Sequence, residues 1–247
     1  MCAPNIEIRE MAVQSKTFIA DATAAIPTAP SKVRGLAIPA PYRRYFVWGQ
    51  LIVAFLFLEF ALWQPRMATR NPWLGISALT ILAFVLVDRP SLSRLGLRLP
   101  KSFEASLVLV ISFAAAVLLV FATRWAGGTI PANPTWPNLH LAWQYVIWAM
   151  IQEFLLQSFF YTRCEELFGS IAAVWVAATL FAMAHLPSPV LATFTLMAAL
   201  FFCEMFRRYR SIYPLGIVHA LLGLTVSLTM PNSLIHHMRV GIGYLRY

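Results

Sequence analysis

Seven apolar runs, separated by short polar or charged breaks, dominate the chain: Tyr45–Trp63, Trp73–Val87, Ser106–Ala122, Leu139–Tyr161, Ile171–Leu186, Val190–Phe206 and Ile212–Met230. A helix rises about 1.5 Å per residue, so about 20 apolar residues cross the hydrocarbon core of a bilayer. Several runs are shorter than that. The second and fifth are therefore read as extended at their ends, tilted, or partly buried in protein. The pattern predicts an all-α, polytopic membrane helix bundle of about seven transmembrane helices, over residues 43–235.

Residues 1–42, rich in Ala, Pro and Ser, hold no long apolar run, and we read them as a disordered or interfacial cytoplasmic tail. They lack the basic, apolar and small-residue succession of a cleaved signal peptide, so none is expected. With the N-terminus inside, the inner segments carry 14 Lys and Arg residues and the outer ones carry Arg66, Arg70, Arg124, Arg239 and Arg246. Basic residues favour the cytoplasmic side, which predicts an N-in, C-out arrangement. The loop at 88–104 alternates Leu95, Leu97 and Leu99 with basic residues, which suits a re-entrant or interfacial helix. A helix start is expected at Pro100–Glu104. Arg207, Arg208 and Arg210 read as a stop to the sixth run, reaching lipid headgroups. Residues 236–247 form a short tail in which His236 and His237 are expected to be solvated.

Composition narrows the function classes. Of 247 residues, 60% are hydrophobic and only 12% charged, with a mean hydropathy of +0.69. Soluble domains carry about 25% charged residues, so a water-soluble enzyme is excluded. The +9 net charge fits basic loops on anionic lipid, and no nucleic-acid partner is expected. Cys2, Cys164 and Cys203 give no framework of disulfide pairs.

Ionisable groups inside apolar spans are costly, which makes each a candidate for function. Glu59 lies near the outer end of its run, within reach of water. Glu204 lies one turn before Arg207 and Arg208, so an ion pair on its own helix accounts for it. The fourth run differs: Gln152, Glu153 and Gln157 stand well inside it, and Glu153 and Gln157 share a helical face. Phe181-Ala-Met-Ala-His185 ends the fifth run, and His219 lies near the start of the seventh. One Glu and two His from separate helices form an acid–base inventory. They are equally a three-ligand metal inventory with one position open to water.

The stretch from Leu141 to Met230 resembles the core of the CPBP superfamily of intramembrane proteases, which includes CAAX prenyl endoproteases and bacterial relatives tied to bacteriocin processing or self-immunity. Their pattern is EExxxR, then FxxxH, then HxxxN or HxxxD. The counterparts are Gln152-Glu153-Phe-Leu-Leu-Gln157, Phe181-Ala-Met-Ala-His185 and His219-Ala-Leu-Leu-Gly223. Phe159, Phe160 and Ser211-Ile-Tyr-Pro-Leu-Gly-Ile-Val also look like the family.

The resemblance implies an intramembrane endopeptidase acting on a membrane-associated protein or peptide, in a prokaryotic cytoplasmic membrane. Carried over residue by residue, Glu153 would be the general base, with His185 and His219 positioning water and stabilising the oxyanion. Gln152, Gln157, Phe181 and Gly223 would support them. No cofactor is implied, a divalent metal such as zinc on Glu153, His185 and His219 being the alternative. Three positions depart from the family: Gln152 replaces the first glutamate, Gln157 the arginine, and Gly223 the asparagine or aspartate. Glutamine binds water but cannot take its proton. The departures keep two other readings open, an inactive CPBP-like scaffold or binding protein and a small transporter. Glu165 and Glu166 lie too close to His185 for the family spacing and are assigned to the inner loop beside Arg163, with a solvated role.

Overall fold

The computed structural model describes residues 39–126 and 139–246. Each of the seven apolar runs is helical there. We number α1 Ala40–Leu62, α2 Met67–Asp88, α3 Ser102–Trp125, α4 Leu139–Glu153, α5 Thr162–Phe168, α6 Ser170–Met183, α7 Pro189–Tyr209 and α8 Tyr213–Thr229. A π-helical stretch, Phe154–Tyr161, joins α4 to α5. Among the described residues four helices are long and apolar enough to cross a membrane: Pro41–Leu62, α2, α3 and α7. α6 and α8 are apolar but shorter.

Local sequence accounts for the boundaries. Pro41, Pro189 and Pro214 fall in the first turns of α1, α7 and α8, where the missing N–H costs nothing and the fixed φ suits a helix. The Ser188 hydroxyl accepts from Leu191 N at 3.3 Å at the head of α7. At the head of α3, Lys101 N donates to the Glu104 carboxylate at 3.0 Å, as the cap signal predicts. α1 starts three residues before Arg43, so the first helix takes in the end of the stretch assigned to the tail. The remainder of that tail, residues 1–38 with Cys2, lies outside the described residues.

α1 packs on α2, α6 on α7, and α8 on both α3 and α4. The core between them is aromatic, with Phe159, Tyr161, Phe202 and Phe206 all buried and Phe84 stacked on Phe159. The outer faces are the reverse of a soluble protein's. Val110, Phe113, Leu118 and Phe121 of α3 are all more than 60% exposed. A patch of that extent would be a liability in water, and lipid is the solvent that suits it. A helix closes its own backbone hydrogen bonds, as hydrocarbon requires.

The 88–104 loop forms no re-entrant helix: a bent segment ties the ends of other elements instead. Ser158 Oγ donates to Leu95 O at 2.5 Å, Ile212 N to Gly96 O at 3.0 Å, and Ser211 Oγ to Arg98 O at 2.9 Å. Gly96 has φ +72, and a Cβ there would run into the Phe206 ring, so the turn needs glycine.

Charges near this loop are paired more thoroughly than expected. Asp88 receives Arg43 at 2.7 Å and Arg163 at 3.0 Å, with Gln50 donating at 3.1 Å. Glu166 receives Arg43 at 2.7 Å and Arg94 at 2.9 Å. Glu165 pairs with Arg210, so neither glutamate is merely solvated. Burial by itself would raise the Glu166 carboxyl, but the bonds and charges of Arg43 and Arg94 outweigh it and hold the group below the ordinary carboxylate range. Arg207 and Arg208 bond Glu204 at 2.7 and 2.5 Å, the pairing their spacing predicts. Cys164 and Cys203 are buried free thiols.

The C-terminal segment is not a free tail. Gly241 N donates to Leu186 O at 2.8 Å, Arg246 reaches Pro65 O at 2.8 Å, and the His236 ring stacks on Tyr244 at 4.2 Å. His236 is half-buried against Tyr244, against the expectation of a solvated pair, while His237 is exposed as expected.

Candidate active site

The fourth run supplies the polar face it predicts, at the point where its helix changes type. Glu153 is the last residue before the π-helical stretch, and π segments recur at functional sites. Gln157 Nε2 donates to Glu153 Oε2 at 3.1 Å. From α8, the His219 Nδ1 meets the other carboxylate oxygen, Oε1, at 2.8 Å. Both oxygens of Glu153 are thus engaged, and the residue is 0% exposed. Gln157 is equally buried, and its Oε1 has no hydrogen-bond partner among the described residues.

His219 is held on three sides. Beyond Glu153, its ring stacks on Phe202 at 5.7 Å and meets the edge of Phe181 at 5.9 Å. An ionised Glu153 is an acceptor only, so in a neutral His219 ring the proton sits on Nδ1 and Nε2 keeps its lone pair. His185 follows α6, in a turn. Its Nδ1 bonds Phe181 O at 2.7 Å, which again fixes the proton on Nδ1 of the neutral ring and leaves Nε2 as acceptor. Phe181 sits between the two imidazoles, its ring 4.8 Å from His185. That is the packing reason for an aromatic residue four positions before the histidine.

A cavity of about 930 Å³ lies against these groups. Its wall is overwhelmingly apolar, and the polar side chains it receives include Tyr145, Gln152, His185 and His219. Gly223 also lines it, one turn beyond His219. Gln152, not Glu153, is the α4 amide or carboxylate on that wall. Large apolar cavities with a few convergent polar groups are the usual form of a small-molecule or substrate site.

The sequence-predicted residues therefore divide into two groups. Glu153, Gln157 and His219 form one buried hydrogen-bonded set. Gln152, Phe181, His185, His219 and Gly223 share the cavity wall. Among the described residues no three His, Cys, Asp or Glu side chains come together as metal ligands. The zinc alternative on Glu153, His185 and His219 does not fit, since one Glu153 oxygen already holds His219, the other holds Gln157, and Glu153 does not reach the cavity wall on which His185 lies. Sequence reasoning missed Tyr145. Its seven-residue offset from Gln152, two turns along one face, is the signal that would have found it.

Fold and site together define a helical membrane protein with a buried Glu–His pair beside an apolar cavity. Comparison with known families agrees with that class. Residues 134–225, a little over a third of the chain, match the family described as type II CAAX prenyl endopeptidase Rce1-like. That segment carries every residue of the site, and the match agrees with the resemblance to the CPBP and CAAX protease superfamily. No curated protein and no solved structure matches the chain.

Proposed function

We propose that the protein is an intramembrane endopeptidase that hydrolyses a peptide bond of a membrane-associated protein or peptide admitted to the cavity. The observation that carries this reading is the buried Glu153–His219 bond beside a cavity that also receives Gln152 and His185. Glu153 activates water through His219: its charge holds the imidazole in one tautomer and stabilises the imidazolium that forms, the role a buried carboxylate plays behind a histidine base. His219 Nε2 takes the water proton and returns it to the leaving amine. Gln152 and the Nε2 of His185 orient the water. The missing first glutamate then removes a second buried negative charge, and with it the need for an arginine at Gln157.

The same reading includes the topology. Leu139–Tyr161, α6 and α8 join the four longer helices as spans, N-in and C-out, in a prokaryotic cytoplasmic membrane. The excess of inner Lys and Arg supports that orientation.

One observation favours a second reading. Gln152 occupies the first-glutamate position on the cavity wall, and an amide there suits a binding protein that has lost the reaction.

Comparing new peptide termini in membranes carrying the wild type, Glu153→Gln or His219→Ala, at matched levels of folded protein, tests both. Termini that appear only with the wild type are expected, and they name the substrate. Identical termini in all three would leave the scaffold reading.

A further inference from the structure

The place left empty by glycine at position 223 is filled from another helix. A Cβ built on Gly223 would fall on the Tyr145 hydroxyl, with Cζ and Cε1 of that ring at 2.9 and 3.0 Å. Tyr145 projects from α4 and Gly223 belongs to α8, so the phenol crosses the contact between the two helices and ends one turn from His219. Tyr145, Gln152, His219 and Gly223 all line the one cavity. The hydroxyl has no hydrogen-bond partner among the described residues. A polar O–H in an apolar wall, beside a histidine and unspent on the fold, is a donor in wait of an acceptor that the substrate brings.

The geometry points to Tyr145 as a catalytic residue that donates its hydroxyl hydrogen bond to the carbonyl oxygen of the scissile peptide. This rests on the endopeptidase reading above. Water oxygen bonds to the carbonyl carbon while His219 Nε2 takes one water proton. The carbonyl π pair moves onto oxygen, where the phenol holds the negative charge by hydrogen bonding and keeps its own proton. Reforming the carbonyl breaks the C–N bond, and the amine leaves with the proton from His219. The products are a carboxylic acid and an amine, and no other reactant is needed. A neutral donor suits the place, because a cation there would be an unpaired charge in a low-dielectric wall. Donors aimed at a developing oxyanion typically supply a factor of about 10²–10³.

The test follows the rate at which Glu153-dependent termini appear in the same membranes. Tyr145→Phe keeps the ring against Gly223 and removes only the donor, so a loss of about 10²–10³-fold is expected with an unchanged melting midpoint. Tyr145→Ala opens the space that a side chain at 223 requires. Adding Gly223→Asn to it supplies an amide donor from α8 and is expected to recover at least about tenfold of the lost rate. Equal rates for the wild type and Tyr145→Phe would overturn this assignment and leave the endopeptidase reading standing. So would a slowed Tyr145→Phe whose melting midpoint also falls, if Gly223→Asn gives no recovery. Absence of any Glu153-dependent terminus with the wild type would overturn the endopeptidase reading, and this one with it.

Discussion

Two polar clusters lie in this helical bundle, one running out to the exposed Glu166 and one buried around Glu153, and they are built on opposite principles. The cluster around Asp88 and Glu166 sets two carboxylates against Arg43, Arg94 and Arg163, and both oxygens of each carboxylate are bonded to cations. Gln50 adds a donor to Asp88 and an acceptor for Arg163 at 3.3 Å. Nothing in that set lines the cavity. The cluster around Glu153 holds one carboxylate among neutral groups, and through His219 it ends on the cavity wall. The first holds α1, α2 and α5 together, while the second ends on a cavity wall that His219 shares with Tyr145. Buried charge by itself thus says little about function. What separates the two is whether the hydrogen-bonding capacity is exhausted and whether a void lies beside it.

The contrast is tested most strongly at Glu153. Glu153→Gln keeps the shape and a hydrogen bond to His219 but removes the charge, and a loss of about 10³–10⁴-fold in cleavage is expected from the loss of tautomer control and imidazolium stabilisation. Its melting midpoint should stay close to the wild type's. Asp88→Ala is expected to do the converse. It strands Arg163, which is 4% exposed, without its partner, and breaking a buried pair costs about 3–5 kcal/mol. Thermal unfolding in detergent reads that loss, and the surviving folded fraction should still cleave. A cleavage defect per folded molecule in Asp88→Ala would erase the distinction between the clusters.

A smaller effect is expected at Gly96. Alanine there has to adopt a left-handed backbone and displace the Phe206 ring, at a cost of about 1–3 kcal/mol. The readout is again the melting midpoint, with cleavage by the folded fraction unchanged. The smallest effect is the pH response of Glu166. Its folded pKa lies below the unfolded value, so its contribution is complete above about pH 4.3 and is lost as pH falls through the folded pKa. Melting midpoints of the wild type should therefore drop more steeply below pH 4 than those of Glu166→Gln. Parallel curves would show that Arg43 and Arg94 do not hold this carboxylate in solution.

Most of the site's parts list was legible along the chain, because lipid makes polar residues conspicuous. Glu153, Gln157, His185 and His219 stand out by type inside apolar runs, and a four-residue spacing on one helix is enough to pair Glu153 with Gln157 and Glu204 with Arg208. The conformation of the loop at 88–104 is not legible in the same way, for a related reason. Alternating leucines and basic residues suit an interfacial helix, but Gly96 and the bonds to Ser158, Ser211 and Ile212 make the segment a latch, and those partners are about 60 to 115 residues away in sequence. Glu165 and Glu166 looked solvated because their cations, Arg210, Arg43 and Arg94, come from other elements.

Hydropathy along the chain is enough to establish a helical membrane protein, to place its apolar helices, and to pick out the polar residues the bilayer must accommodate. Those properties follow from hydropathy and from spacings shorter than two helical turns, which are local. Which of those residues meet was decided by tertiary structure alone. Only the packing of α8 on α4 brings His219 to Glu153 and sets the Tyr145 hydroxyl in the space Gly223 leaves. Hydrogen bonds form over about 3 Å, and no local pattern fixes distances that small between helices more than 60 residues apart.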